Sequence, residues 1–274
     1  MRTRKIIIAL LLCVTSMHAQ TRSQWIDKAG VCFGMSDYKC AEICFQKAIE
    51  LSDKDHDDLY ILYANMATAQ RRDNKKNIAL ESYNMADKLK PDNIFVLTNR
   101  ASLKHQLNDE VGALIDFNHA IRIDSLNEEV LIDRSHQLKI MGDTVNALKD
   151  LEKVIKINPK SLPARNNIAD VMMNRGQHDE ALKIFNQLLE EHPNEAILLN
   201  NIGEVYLRMT NYGKALEYLN KATSILKTYS TPFMNRGEIY ILQGQTDKAK
   251  KELQKAIKLG CDDNKVFKLL DRCI

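Results

Sequence analysis

The side chains of this chain that could do chemistry are its cysteines, a run of aspartates and two histidines. Five of the six cysteines follow the first nineteen residues: Cys32, Cys40, Cys44, Cys261 and Cys273. An odd count leaves at least one thiol unpaired within a monomer. Cys40 and Cys44 stand four apart, on one face of a helix, and Cys32 lies on the helix before. A disulfide from Cys32 to either neighbour is geometrically open; Cys261 with Cys273, across most of a helix, is less so. The spacing is not Cys-x-x-Cys, so a thioredoxin-like redox site is not expected, and a radical-cluster motif lacks its third cysteine. The expectation is that these thiols serve as small, buried apolar side chains.

Asp53, Asp55 and Asp57 alternate like the opening of a calcium loop. Asp58 stands where that loop needs glycine and Ala64 where it needs a closing glutamate, so a solvated loop capping the next helix is expected instead. His105 and His136, near Asp133, could face one groove. A histidine pair without converging partners reads as polar lining rather than as a metal site. No His-Glu-x-x-His, Gly-x-Ser-x-Gly, Walker-type or Gly-x-Gly-x-x-Gly pattern occurs. No cofactor or metal is expected, and the chain reads as a non-enzyme.

The elements that must position these residues repeat. From Leu199 to Ala222 the apolar residues fall three or four apart in two runs, split by Met209-Thr210-Asn211. That is the pattern of two amphipathic helices joined by a tight turn. It returns at 34-residue spacing, with four extra residues between the first two units, where Ser52 to Asp58 intervenes. Ala41, Ala79, Ala113, Ala147, Ala181, Ala215 and Ala249 hold one place in seven units, each followed four residues on by a bulky plug: Phe45, Tyr83, Phe117, Leu151, Phe185, Leu219, Leu253. Facing them in the first helix of each unit are Ala29, Ala67, Ala101, Ser135, Ala169, Gly203 and Gly237. Small opposite small lets two helix axes approach, and the plug fills the gap towards the next unit.

These residues resemble the tetratricopeptide repeat family, whose unit is a 34-residue helix-turn-helix. The resemblance implies an all-α, right-handed α-solenoid of about seven repeats, at 22–55, 60–93, 94–127, 128–161, 162–195, 196–229 and 230–263, with a capping helix over 264–274. Only Trp25 keeps the family's tryptophan. The unit-ending proline is present as Pro91, Pro159 and Pro193 and missing from the other joints.

Arg2, Arg4 and Lys5 precede nine apolar residues, Ile6 to Val14, and then Thr15-Ser16-Met17-His18-Ala19. That order describes a secretory signal peptide over 1–19, cut after Ala19. The apolar run is far short of the roughly 20 residues that span a bilayer, so no transmembrane segment is expected. A lipid anchor on Cys13 is the rival reading, but Leu12 stands where a lipobox needs a small residue. The segment holds three of the 39 basic residues and none of the 36 acidic ones, leaving 36 of each. A neutral chain without cations clustered among aromatic platforms is not expected to bind nucleic acid.

In the family the first helices line a concave groove. One inward position carries Asp27, Asn65, Asn99, Asp133, Asn167, Asn201 and Asn235. Such a ladder either bonds the backbone of an extended peptide or only braces neighbouring helices. A second inward position carries Gly30, Thr68, Ser102, His136, Asp170, Glu204 and Glu238, which predicts an acidic end over the apolar floor of Met173, Leu207, Ile241 and Leu242. Arg71, Arg72, His105 and Lys139 predict a basic end in the N-terminal half. The lysine positions of the family's chaperone-tail clamp hold Ile26 and Phe95, so that role is not expected. The expected function is a non-enzymatic adaptor in the cell envelope, periplasmic or secreted, that holds a protein or peptide segment. A periplasmic holdase or assembly chaperone, or a regulatory subunit of an envelope enzyme, is the alternative.

Overall fold

The computed structural model describes residues 20–53, 56–261 and 264–273; the segment read as a signal peptide, with Cys13, lies outside them, as does Asp55. Fifteen helices and no strand occur among the described residues. The chain falls into two compact units, residues up to Val130 and residues from Leu131 onward.

The N-terminal unit contains α1 (Arg22–Gly34), α2 (Tyr38–Glu50), α3 (Leu59–Arg72), α4 (Lys76–Leu89), α5 (Ile94–Gln106) and α6 (Glu110–Ile123), and ends in the first turn of α7 (Glu128–Ile140). From α1 to α6 each helix packs on the next in sequence. The C-terminal unit takes the rest of α7, then α8 (Thr144–Ile157), α9 (Leu162–Asn174), α10 (His178–Glu191), α11 (Ala196–Arg208), α12 (Tyr212–Ile225), α13 (Thr231–Leu242), α14 (Thr246–Lys258) and α15 (Asn264–Asp271). From α8 to α15 the same successive packing holds, and α9, α11 and α13 also touch in turn. Each unit is thus a stack of helical hairpins of the solenoid type.

Local chemistry sets the helix ends. The Thr21 hydroxyl accepts from Gln24 N–H while the Gln24 side chain accepts from Thr21 N–H, a reciprocal cap at the start of α1. Asp37, Asn93, Asp109, Asp143 and Asn211 each accept an N–H from the first turn of the helix that follows. Every hairpin turns through one residue with positive φ: Ser36, Asn74, Asn108, Gly142, Gly176, Thr210 or Gly244. Glycine suits that left-handed conformation and asparagine tolerates it, whereas a β-branched threonine, at φ 60° in Thr210, is strained there.

Packing within the hairpins follows the size pattern. All seven second-helix alanines are fully buried, as are the plugs Tyr83, Leu151, Phe185, Leu219 and Leu253. An aromatic plug faces alanine, and a leucine plug faces serine or glycine. A Cβ on Gly203 would lie 2.8 Å from Leu219 Cγ, and one on Gly237 would lie 2.7 Å from Leu253 Cγ. Both distances are shorter than carbon atoms tolerate, so at these two crossings the branched plug occupies the space a Cβ would need. Helix α15 closes the stack: Val266 and Leu269 join Phe233, Leu253 and Ala256 in one buried cluster.

A second cross-hairpin position has two solutions. Arg100 and Asp116 form a bidentate pair at 2.8 and 2.9 Å, joined by Lys104 and Asp87. Arg134 and Asp150 repeat it one unit on at 2.7 and 2.6 Å, and in the last hairpin Arg236 sets two donors on one oxygen of Glu252. The same two places hold Ile168 with Ile184 in the fifth repeat, and Ile202 with Tyr218 in the sixth.

The expectation that the cysteines would all be buried free thiols is overturned. Cys32 of α1 and Cys40 of α2 form a disulfide, because the hairpin turn brings their Cα atoms to 5.8 Å. Cys44, Cys261 and Cys273 are free.

Candidate functional site

A concave pocket of about 810 Å³ opens in the C-terminal unit, its wall supplied mainly by first helices. From α7 come His136 and Lys139, from α9 Asp170 and Asn174, and from α11 Asn200, Asn201, Glu204 and Arg208. The loop before α13 adds Tyr229, α13 adds Thr231, Met234 and Asn235, and α15 adds Lys265. First helices stack side by side, so residues 34 or 35 apart fall next to one another on this wall.

The amides there form one continuous row. Asn235 Nδ2 donates to Asn200 Oδ1 at 3.1 Å, and Asn200 Nδ2 donates to Asn201 Oδ1 at 3.3 Å. Asn201 Nδ2 donates to Asn166 Oδ1 at 2.9 Å, and Asn166 Nδ2 donates to Asn167 Oδ1 at 3.3 Å. The row crosses α13, α11 and α9. Asn200 and Asn235 are almost wholly buried. Each amide has two donors and two lone pairs, so the row braces the helices and still retains bonding capacity on its open side.

The charges depart from the expected acidic end. Asp170 pairs with Lys139, Glu204 with Arg208 at 2.8 Å, and Glu238 with Lys265 at 2.7 Å. Each carboxylate is paired with a cation, Arg208 from one turn along the same helix and Lys139 and Lys265 from other helices, so these carboxylates form dipoles rather than an anionic strip. The apolar floor is corrected too: Met173 and Leu207 are buried in the helix packing, Ile241 is half-buried and Leu242 exposed, and none of the four lines the pocket, whose apolar contribution is Met234. Tyr229 lies on the wall with its phenol pushed up, chiefly by burial, against a hydrogen bond from Thr231.

The remaining candidates lie elsewhere. Asn167 lines a separate 260 Å³ cleft with Asn166, Leu162, Pro163 and Leu198. Asn65, Asn99, Arg71, Arg72 and His105 belong to the N-terminal unit. There Asn99 donates to its own helix at Phe95 O, 2.8 Å away, and His105 Nδ1 sits 2.7 Å from Glu110. Sequence reasoning missed Asn166 and Asn200, one residue before the expected ladder; their adjacency to ladder residues in consecutive repeats was the available signal. It also missed Arg208, Tyr229 and Lys265. Among the described residues the group whose ligand atoms lie close enough to share a metal ion is Cys32, Cys40 and Cys44, the first two joined as a cystine, and neither His105 nor His136 belongs to it.

Hairpins stacked in register, with small-on-small crossings and a concave wall built from first helices, define a helical-repeat interaction protein. Tetratricopeptide repeat models match residues 160–228 and 232–259, and the helical hairpins of both units follow the same repeat. It is similar to the crystal structure of a tetratricopeptide repeat protein from Parabacteroides merdae ATCC 43184, at 28% identity and TM-score 0.84, over 93% of this chain and 99% of that one. It is also similar in fold to a thermophilic repeat protein of Thermus thermophilus, at 17% identity and TM-score 0.59, over 66% and 98% of the chains. PilW, a type IV pilus biogenesis factor, matches at 16% identity and TM-score 0.61, over 80% and 100%. No curated protein sequence matches the chain. The fold is that of a protein–protein interaction scaffold, and among the described residues no helix is long and apolar enough to cross a membrane.

Proposed function

We propose that this chain is a non-enzymatic adaptor that holds an extended segment of a partner protein in the pocket of its C-terminal unit, and that it works in the cell envelope. The observation that carries the reading is the pocket wall of amides and paired charges, open along consecutive first helices. An extended peptide presents alternating N–H and C=O groups, which amides with spare donors and acceptors match without demanding a sequence. The ion pairs give orientation: a charged ligand side chain exchanges with Lys139, Arg208 or Lys265 at little net cost in charge. The envelope location rests on the order of basic, apolar and small residues over 1–19.

The test is selection of peptides from a random displayed library on the chain lacking residues 1–19, followed by binding to variants. Asn201→Lys with Glu204→Lys should weaken the selected peptides, with helix content unchanged, while Glu81→Lys on the outer surface should not. Equal affinity for the pocket variant and the parent would overturn the pocket. Separately, the full chain should fractionate with the envelope and the form lacking 1–19 with the cytosol. Identical fractionation of both would overturn the location.

A further inference from the structure

The three cysteines of the first hairpin form a cluster that peptide binding does not use. Cys40 and Cys44, one helical turn apart on α2, point to the same side, and Cys32 faces them from α1. The sulfurs of the trio lie within 4.8 Å of one another, and Cys44 Sγ is 4.0 Å from Cys40 Sγ. No histidine or carboxylate among the described residues joins them at that range. Cys32 and Cys44 are buried and Cys40 is partly open, so the cluster has a dry interior and one access side.

Other repeats set an anionic side chain at the place Cys44 holds in the first. Cys44 occupies the second-helix position that holds Asp116, Asp150 and Glu252 in the third, fourth and seventh hairpins. Lys28 occupies the first-helix position of Arg100, Arg134 and Arg236. Where other repeats set a buried carboxylate against a cation, the first repeat sets the buried Cys44 thiol at the place that pairs with Lys28.

We propose that, in the reduced protein, Cys32, Cys40 and Cys44 bind one soft monovalent cation, copper(I), as three thiolates, and that the Cys32–Cys40 disulfide is the metal-free state. Thiolate donors select soft ions. Zinc in a structural site requires a fourth ligand, and the cluster offers three. The two states exclude each other because the disulfide ties up two of the three donors. Conversion consumes one external dithiol: its two electrons and two protons go to the cystine, giving two thiols and an oxidised dithiol. Binding then releases the three thiol protons as the sulfur–copper bonds form. The hairpin therefore links metal uptake to the thiol–disulfide poise of its surroundings.

The experiment uses the chain lacking residues 1–19, reduced with a dithiol, freed of reductant without oxygen, and titrated with copper(I) held by a coloured chelator. The reduced protein should withdraw one ion per chain from the chelator with a thiolate–copper charge-transfer band, and the oxidised protein should withdraw none. Cys44→Ser should lose at least about tenfold in affinity, and Cys44→Ala, which keeps a small apolar group in the core, should do the same with helix content intact. Cys261→Ser should change nothing. No uptake by the reduced protein, unaltered uptake by both Cys44 variants, or tighter binding of zinc than of copper(I) would each overturn the assignment.

Discussion

Repeats three and four and repeats five and six solve one packing problem in opposite ways. Where first and second helices cross, the earlier pair buries Arg100 with Asp116 and Arg134 with Asp150, the carboxylates being only 4% exposed. The later pair fills the same places with Ile168 and Ile184, and with Ile202 and Tyr218. Of these, Ile184, Ile202 and Tyr218 pack into one apolar core. The desolvation of two charges largely cancels their attraction, so the ionic solution is not inherently the more stable. What differs is tolerance. An ion pair requires both partners and a fixed geometry; the apolar contact requires only volume.

The largest effect should come from breaking one side of the ionic solution. Asp150→Ala strands the Arg134 guanidinium in the helix crossing and should cost about 3–5 kcal/mol in chemical denaturation. Replacing both, Arg134→Ile with Asp150→Ile, copies repeat five and should recover most of that loss. A double variant as unstable as the single one would show that the two solutions are not interchangeable.

A smaller effect sharpens the apolar side. Gly203→Ala sets a methyl 2.8 Å from Leu219 Cγ. It should destabilise by roughly 1–2 kcal/mol, overpacking of about 1–3 kcal/mol being partly offset by about 1 kcal/mol of helix propensity. Adding Leu219→Ala should relieve the clash and give a loss less than the sum of the two single variants, read by a double-mutant cycle. Smaller still, and of opposite sign, is Thr210→Gly. It removes a left-handed β-branched residue and should raise stability by about 1 kcal/mol, giving the sixth turn the residue type of Gly176 in the fifth.

The smallest expected effect contrasts a surface pair with the buried ones. Hydrogen bonding from Arg165 holds the Glu191 carboxyl below the usual glutamate range. A depressed carboxylate contributes stability above its unfolded-state pKa and loses it as pH falls through the folded-state value. Because Glu191 lies in water, Glu191→Gln should barely change the acid limb of the stability curve. Carboxyl titration by NMR together with acid denaturation checks both statements.

The repeat was legible because a helical hairpin is written locally, in alanines, plugs and turn residues whose spacing the chain itself displays seven times. The pocket wall was legible only through register. Asp170, Glu204, Asn201 and Asn235 share inward positions one repeat apart, so the pattern could group them without showing their neighbours. Their partners were hidden for definite reasons. Lys139 reaches Asp170 from 31 residues back, and Lys265 comes from a terminal helix that belongs to no repeat. Asn166 and Asn200 sit one residue off the expected ladder, where a helical wheel shows only the helix's own crowded flank. The cystine was open but unresolved in the sequence, because eight residues that include a turn can either separate two thiols or set them face to face.

The amide row has a consequence beyond bracing. Every bond in it runs one way, from Asn235 through Asn200, Asn201 and Asn166 to Asn167. Turning any inner amide alone would set donor against donor on one side and acceptor against acceptor on the other, forfeiting two bonds in a largely buried place. The row therefore has only two self-consistent settings, all amides forward or all reversed. A ligand that offers a single strong acceptor or donor at one end selects between them for the whole row. Three helices then register, as one binary element, which way round the guest lies.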